Sequence, residues 1–470
     1  MRGRRTKIVA TLGPATDAPG VLDRLVEAGL DCARLNCSHG THDDLRRRAA
    51  EVRQASARAG RPLGLLFDLQ GPKLRLSAET EARTLEIDDT VILCGSDRGD
   101  AVDRVRVDLS RFEALVTERS QIVIGDGVPR LAVEHVDAAG HVVTRVVSPG
   151  ALGPRKGVNV TYARPALPAI TDKDVADLAL AAELGADFVA LSFVRSAQDI
   201  QELRERMQAL PCPARVIAKI EKVEAYEDLD EIIRVTDGVM VARGDYGVEA
   251  GVARVPLMQK DTIARATQAG KVVITATQML ESMIHSPEPT RAEVADVANA
   301  VIDGSSAVML SAETGVGSFP VEAVRAMAEI AEAAEQVPEI HGRARNVRPD
   351  TAGAAVMHAA IELAHELEAD ALIVPTATGG APRACAKYRI PRPIVAVAHD
   401  QRVADQLTLE WGVFPALTGV ATTVGEMIDA ALTTARDKAG VPSGATVVLT
   451  AGRRTGTPGA TNLIMVREIP

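Results

Sequence analysis

Short apolar runs alternating with helix-like stretches, interrupted once, constrain this chain more than any other feature. Lys7–Leu12 reads as a buried strand closed by Gly13-Pro14, and Val21–Ala28 as a helix ending at Gly29. Cys32–Leu35 and Leu63–Leu69 are the next strands, with a charged helix over His42–Arg58 between them. From about Leu74 to Val160 the rhythm stops and apolar and polar residues alternate, most clearly in a hairpin over Leu131–Val147. After Pro168 it resumes. Thr171 as N-cap, with Asp174 in the capping-box place, opens a helix to Leu184. Strands are expected at Phe188–Phe193, Val216–Ile220, Gly238–Ala242, Val272–Ala276 and Ala307–Leu310.

Three strands before the interruption and five after it make eight. The spacing therefore predicts an α/β protein: a (β/α)8 TIM barrel with a small β-barrel lid domain inserted after the third strand. The barrel would take residues 1–71 and 168–340, and the lid 72–167, opening at Gly71-Pro72 and closing near Pro165 and Pro168. A helix over Val321–Glu335 ends the barrel, and Val337–Asp350 reads as a linker. Residues 341–470 alternate again and predict a separate α/β domain. Its expected strands are Ala371–Pro375, Pro393–Ala398 and Thr446–Thr450, with helices to Leu367, over Gln401–Glu410 and over Val424–Lys438.

The totals exclude several partners. A formal charge of −10 argues against general affinity for nucleic acid or anionic membranes. An aromatic content of 2% leaves little for base stacking. Cys32, Cys37, Cys94, Cys212 and Cys385 are scattered without a CxxC pair, as reduced thiols in a cytosol would be. The basic N-terminus lacks a signal-peptide core and no stretch suits a bilayer, so the expectation is a soluble cytoplasmic protein.

The chemistry gathers at strand ends. In VIAKIE, alternation puts Lys219 and Glu221 on one face and Ile220 on the other. The next apolar run ends in Arg243-Gly244-Asp245, a second acid at a second strand end. Two carboxylates there form a hard-oxygen site suited to Mg²⁺ or Mn²⁺, and a lysine beside it suits a phosphorylated substrate. A plain buried Lys–Glu pair would not require Asp245. Arg34, Asn36, Ser38, Asp68, Thr277, Ser311 and Glu313 fall at the same end of other strands. So many polar groups at one end of apolar strands are hard to explain as core packing, because each needs a partner.

These motifs resemble a known family. KIVATLGPAT (Lys7–Thr16), ARLNCSHG (Ala33–Gly40), KGVN (Lys156–Asn159), AKIE (Ala218–Glu221) and MVARGD (Met240–Asp245) stand in the order seen in pyruvate kinases. ITATQMLESM (Ile274–Met283), PTRAEVADVANAVIDG (Pro289–Gly304) and MLSAETGVGSFP (Met309–Pro320) continue that order. The resemblance implies Mg²⁺-dependent phosphoryl transfer from phosphoenolpyruvate to ADP, giving ATP and pyruvate, in a cytoplasmic homotetramer. Lys219 and Arg34 would hold the phosphoryl group, and Glu221 and Asp245 the metal. Gly244, Asp245 and Thr277 would hold the carboxylate, and Thr277, Ser311 and Glu313 would relay a proton. Asn36, Cys37, Ser38, His39, Arg75 and Lys156 would face the nucleotide.

Several positions depart from the family pattern. Ala312 replaces a usual glycine, Val316 a frequent lysine and Tyr246 a usual leucine. In DLQGPKLR, Leu69 and Lys73 stand where potassium-requiring members carry threonine and glutamate. The resemblance places a K⁺ site at Asn36, Ser38, Asp68 and Leu69; here the Lys73 ammonium is expected to substitute for that ion. Thr376, Thr378 and Gly379 are a candidate effector-phosphate turn, with an ordinary βα turn as the competing reading. The competing functions are a Mg²⁺-dependent barrel lyase acting on phosphoenolpyruvate or pyruvate, and a catalytically idle metabolite sensor.

Overall fold

The computed structural model describes residues 3–97, 104–125, 127–161, 168–341, 349, 351–452 and 461–470. Eight parallel strands close into a barrel. They are β1 (Lys7–Thr11), β2 (Cys32–Asn36), β3 (Gly64–Asp68), β4 (Phe188–Leu191), β5 (Arg215–Ile220), β6 (Gly238–Ala242), β7 (Val272–Ala276) and β8 (Ala307–Leu310). Closure is made by β8 against β1, with Ala307 opposite Lys7.

Alternation along each strand sorts the side chains. Val9, Leu66, Ile217, Met240, Ile274 and Met309 fill the interior, while Ile8, Ala10, Leu65, Val216, Val239 and Val308 pack outward in the larger core. The helices form where the sequence starts them. Thr171 accepts from the Asp174 N–H to open Asp172–Glu183, and Thr290 does the same with Glu293 for Arg291–Asp303.

The insertion folds on a core of its own, including Leu76, Leu93, Phe112, Ile122, Leu131 and Val142. Seven strands run edge to edge from Leu74–Arg75, through Gly157–Val160, to Arg104–Arg106. The two edges are tied together, since Ser77 N–H donates to Arg106 O at 2.9 Å and Asp108 N–H to Arg75 O at 2.8 Å. These bonds cover part of each edge of that sheet. The expected hairpin is present as Arg130–Val136 and Val142–Ser148. Pro165, within residues 162–167, and most of the expected linker, residues 342–348 and 350, lie outside the described residues.

The C-terminal domain is a five-stranded sheet ordered Val413–Leu417, Ile394–Ala398, Ala371–Thr376, Thr446–Gly452, Thr461–Glu468, the last antiparallel. Two expectations need correction. The helix starting at Gln401 stops at Asp405, not Glu410. Beyond it, Leu407, Leu409 and Trp411 turn inward, and Leu409 joins the barrel-interior cluster. Gly64 makes room for this plug, because a Cβ there would lie 2.4 Å from the Thr408 hydroxyl. The strands at Val413–Leu417 and Thr461–Glu468 were not anticipated. Pro415 argues against a strand, but this one lies at the sheet edge, where a missing N–H is tolerated.

Candidate active site

The register brings the carboxyl ends of the strands to one mouth. Asn36 lies opposite Asp68 across β2 and β3, and Ala190 stands opposite Asp68 on the other side. Arg34 reaches over from β2 and grips Asp68 with Nε at 2.7 Å and Nη2 at 2.6 Å. Its Nη1 donates to the Thr11 hydroxyl at 2.8 Å. From β5, the Lys219 ammonium donates to Ser192 Oγ at 2.6 Å, and lies 3.4 Å from Asp68 and 3.6 Å from Glu221. Burial alone would raise the Asp68 carboxyl, but Lys219 and Arg34 outweigh it and hold it below the ordinary carboxylate range.

Glu221 is different. Its Oε1 accepts from the Phe193 N–H at 2.7 Å, while Oε2 is buried with no hydrogen-bond partner among the described residues, the Lys219 ammonium lying 3.6 Å from it. Burial pushes this carboxyl up to about 6, Lys219 opposes the rise, and Asp245 adds to it. A buried oxygen left open beside a second carboxylate fits a hard divalent cation. Asp245 follows in the first turn of the helix Arg243–Ala250. Among the described residues no cluster of three or more His, Cys, Asp or Glu could hold a metal. A cation here would rest on two carboxylates plus water and substrate oxygens, the usual manner of Mg²⁺.

The third part is a strained turn. Thr277 and Gln278 have φ of 66° and 53°, in the left-handed region that a β-branched residue avoids. Arg243 holds it there, donating through Nη2 to the carbonyls of Thr277 at 2.6 Å and Gln278 at 3.1 Å while pairing with Asp296 at 2.6 Å. The Thr277 hydroxyl accepts from the Gly244 N–H at 3.0 Å and donates to Ala276 O at 2.6 Å.

The remaining expected residues divide. Lys73 and Arg75 line a cleft of about 530 Å³ between lid and barrel, together with Asn159, Phe193, Arg195, Lys222 and Asp245. Burial lowers His39, and the cations Arg75, Lys73 and Arg34 lower it further, so three cations face this loop. Ser38 N–H donates to Asn36 Oδ1 at 3.1 Å, and Leu69 O accepts from Ser192 at 2.7 Å. The Cys37 thiol is buried, leaving that residue only its backbone to offer. Lys156 donates to Ala151 O at 2.7 Å within the lid. Ser311 Oγ is buried without a partner among the described residues. The Glu313 carboxylate is bracketed by the N–H groups of Ser311 at 2.7 Å and Leu280 at 3.1 Å. In the C-terminal domain the Thr376 hydroxyl accepts from the Gly379 N–H at 2.9 Å, and Arg383 donates to Thr378 O at 2.9 Å.

The family model described as pyruvate kinase, barrel domain, matches residues 3–324, and that of the pyruvate kinase alpha/beta domain matches 354–467. The chain belongs to the pyruvate kinase family. It is 41% identical to the pyruvate kinase of Geobacillus stearothermophilus over 99% of this chain and 80% of the relative. To that of Mycobacterium intracellulare it is 40% identical over 99% and 98%. For a pyruvate kinase fold the mouth contains functional groups that sequence reasoning passed over: Ser192, Thr11, Arg243 and the Phe193 N–H. Ser192-Phe193 does follow a buried strand, where a polar residue before a turn was the available signal. Arg243 looked like part of the metal loop rather than the clamp on the next one.

Proposed function

We propose that this chain transfers the phosphoryl group of phosphoenolpyruvate to ADP, giving pyruvate and ATP, with Lys219 as the central cation. The observation carrying this reading is the Lys219 ammonium held between Asp68 and Glu221, 3.6 Å from a carboxylate with an unsatisfied oxygen. Charge in a loose phosphoryl-transfer transition state spreads over the transferring oxygens, where fixed cations stabilise it most. Arg34 and Lys219 are the two cations fixed by the Asp68 carboxylate, so they need little reorganisation when the phosphoryl group arrives.

Glu221 and Asp245 would hold Mg²⁺ or Mn²⁺, which when bound supplies charge neutralisation at the substrate oxygens. The Gly244 N–H and Thr277 hydroxyl would take the substrate carboxylate, and the turn gripped by Arg243 fixes their geometry. The Ser311 hydroxyl is a free group for bringing a proton to the enolate carbon. Thr277 is a very weak acid and would orient that proton or a water rather than supply it. Arg75, with Asn36 to His39, would face the nucleotide, and closure of the lid would exclude water and favour transfer over hydrolysis.

Lys73, exposed at the lid hinge, would stand in for a monovalent cation, so K⁺ would not be required. A homotetrameric, cytoplasmic enzyme is the state this reading expects; among the described residues no helix is long and apolar enough to cross a membrane. An effector phosphate at Thr376–Gly379 would have to displace Arg383 from Thr378, and Thr378→Glu would abolish its activation. The deciding experiment follows pyruvate released from phosphoenolpyruvate with and without ADP. Pyruvate formed only with ADP, with equal ATP, is the expected result. ADP-independent release would favour a lyase or phosphatase, and no release an idle sensor.

A further inference from the structure

The metal-side carboxylates have neighbours that the mechanism above does not use. Lys222 follows Glu221 directly, and Glu249 lies one helical turn beyond Asp245 on the same helix. The Lys222 ammonium is paired with Glu249, whose side chain is only 2% exposed. A third group arrives from the lid. Asn159 Oδ1 lies 3.5 Å from Lys222 Nζ, beside the Glu249 carboxylate. One lid amide thus reaches a buried ion pair, accepting from its cation. Glu224, nearby, carries an Oε2 with no hydrogen-bond partner among the described residues.

We infer that Asn159, Lys222 and Glu249 form a latch that sets the position of the lid relative to the carboxylates proposed to hold the metal. Asn159 stands on the lid strand Gly157–Val160, which pairs with the hinge strand, Gly157 opposite Arg75 and Val158 opposite Leu74. A displacement of Asn159 therefore moves Arg75 and the adjoining Lys73 with it. At the other end, Lys222 and Glu249 are fixed to the segments that carry Glu221 and Asp245. The latch makes the lid's position depend on the same two backbone segments that would hold the cation, which couples nucleotide capture to a formed metal site. Asn159, Lys222 and Glu249 are positioning residues. The inference rests on the active-site reading above.

The test uses Asn159→Ala, Glu249→Gln and the double variant in the full-length enzyme. Asn159→Ala is expected to raise KM for ADP roughly tenfold and to leave KM for phosphoenolpyruvate within about twofold, because only the lid loses a charge-assisted hydrogen bond. The double variant should be little worse than the poorer single variant, the signature of residues acting through one contact. Asn159→Gln, which keeps the amide, should recover part of the ADP affinity. Unchanged ADP KM in Asn159→Ala, or equal rises for both substrates with a lowered Tm, would overturn the latch while the wild type still makes ADP-dependent pyruvate. Fully additive effects in the double variant would also overturn it. A wild type without ADP-dependent pyruvate formation would overturn the active-site reading, and the latch with it.

Discussion

The two ends of the barrel are built from similar groups arranged differently. At the floor, Asp31, Asp187, Asp237 and Ser306 immediately precede β2, β4, β6 and β8. Each accepts from the N–H of the second residue of the preceding strand: Ile8 at 2.9 Å, Leu65 at 2.9 Å, Val216 at 2.9 Å and Val273 at 3.1 Å. The three carboxylates are also paired with arginines, Arg4, Arg53 and Arg204 respectively. Each of the four N–H contacts ties a strand to its neighbour. At the mouth, the Asp68, Arg34 and Lys219 network leaves Glu221 Oε2 and Ser311 Oγ buried and open. The oxygens that lead the floor strands are used in closure, whereas at the mouth Glu221 Oε2 and Ser311 Oγ are left without a hydrogen bond, where the proposed cation and proton path would use them.

The largest expected effect lies at the mouth. Lys219→Ala should lower the kcat of the folded enzyme by on the order of 10³-fold or more, as steady-state kinetics would show. Its counterpart at the floor is Asp31→Ala, which strands Arg4 and the Ile8 N–H. That change should destabilise the protein by about 3 kcal/mol in urea unfolding and leave the kcat of the folded fraction near normal. If Asp31→Ala abolished kcat in a folded protein, the division between the two ends would break.

Glu221→Gln and Asp245→Asn come next. Each should raise the Mg²⁺ concentration for half-maximal activity roughly tenfold or more, read from metal titrations at saturating substrates. Unchanged titrations in both variants would put the cation elsewhere.

A smaller effect belongs to the joint between floor and C-terminal domain. Arg53 Nη1 lies 3.0 Å from Asp187 and 3.3 Å from Asp405, so one guanidinium serves two buried carboxylates. Burial pushes both carboxyl groups above the ordinary range, Arg53 opposes this, and for Asp405 the neighbouring Asp187 adds to the rise. A carboxyl raised in the folded state is a site that the fold prefers protonated. Its contribution is therefore fully present below the unfolded value of about 4 and is lost as the pH rises toward about 7. The Tm of the wild type should fall by a few degrees across that window, and Asp405→Asn should flatten the profile. The smallest effect concerns Lys73. At constant ionic strength, KCl should change wild-type activity less than about twofold, whereas Lys73→Glu should be weaker without K⁺ and partly rescued by it.

The barrel was legible because its strands are short, apolar and evenly spaced, and closure needed only a count. Lys219, Glu221 and Asp245 were legible because alternation on a strand dictates which residues share a face. The floor brackets were not. An aspartate ahead of a strand, such as Asp187, looks like an ordinary turn residue, and its bond to Leu65 joins residues far apart in sequence. The segment after Asp405 was misread for a related reason. Its apolar spacing is that of a helix, yet Leu407, Leu409 and Trp411 are buried against the barrel, and tertiary packing overrides local propensity. The left-handed turn at Thr277 was invisible too, since nothing in a Thr-Gln pair announces positive φ.

The most direct measurement compares two activities of Lys219→Ala under identical conditions. One is phosphoryl transfer from phosphoenolpyruvate to ADP; the other is exchange of the methyl protons of pyruvate with solvent, followed by NMR in D₂O with Mg²⁺ present. Exchange needs the carboxylate-binding turn, the metal site and the proton path, but not a cation on a phosphoryl group. The account predicts that transfer falls by on the order of 10³-fold while exchange stays within about tenfold of wild type. Loss of both activities to the same extent in a folded variant would contradict it.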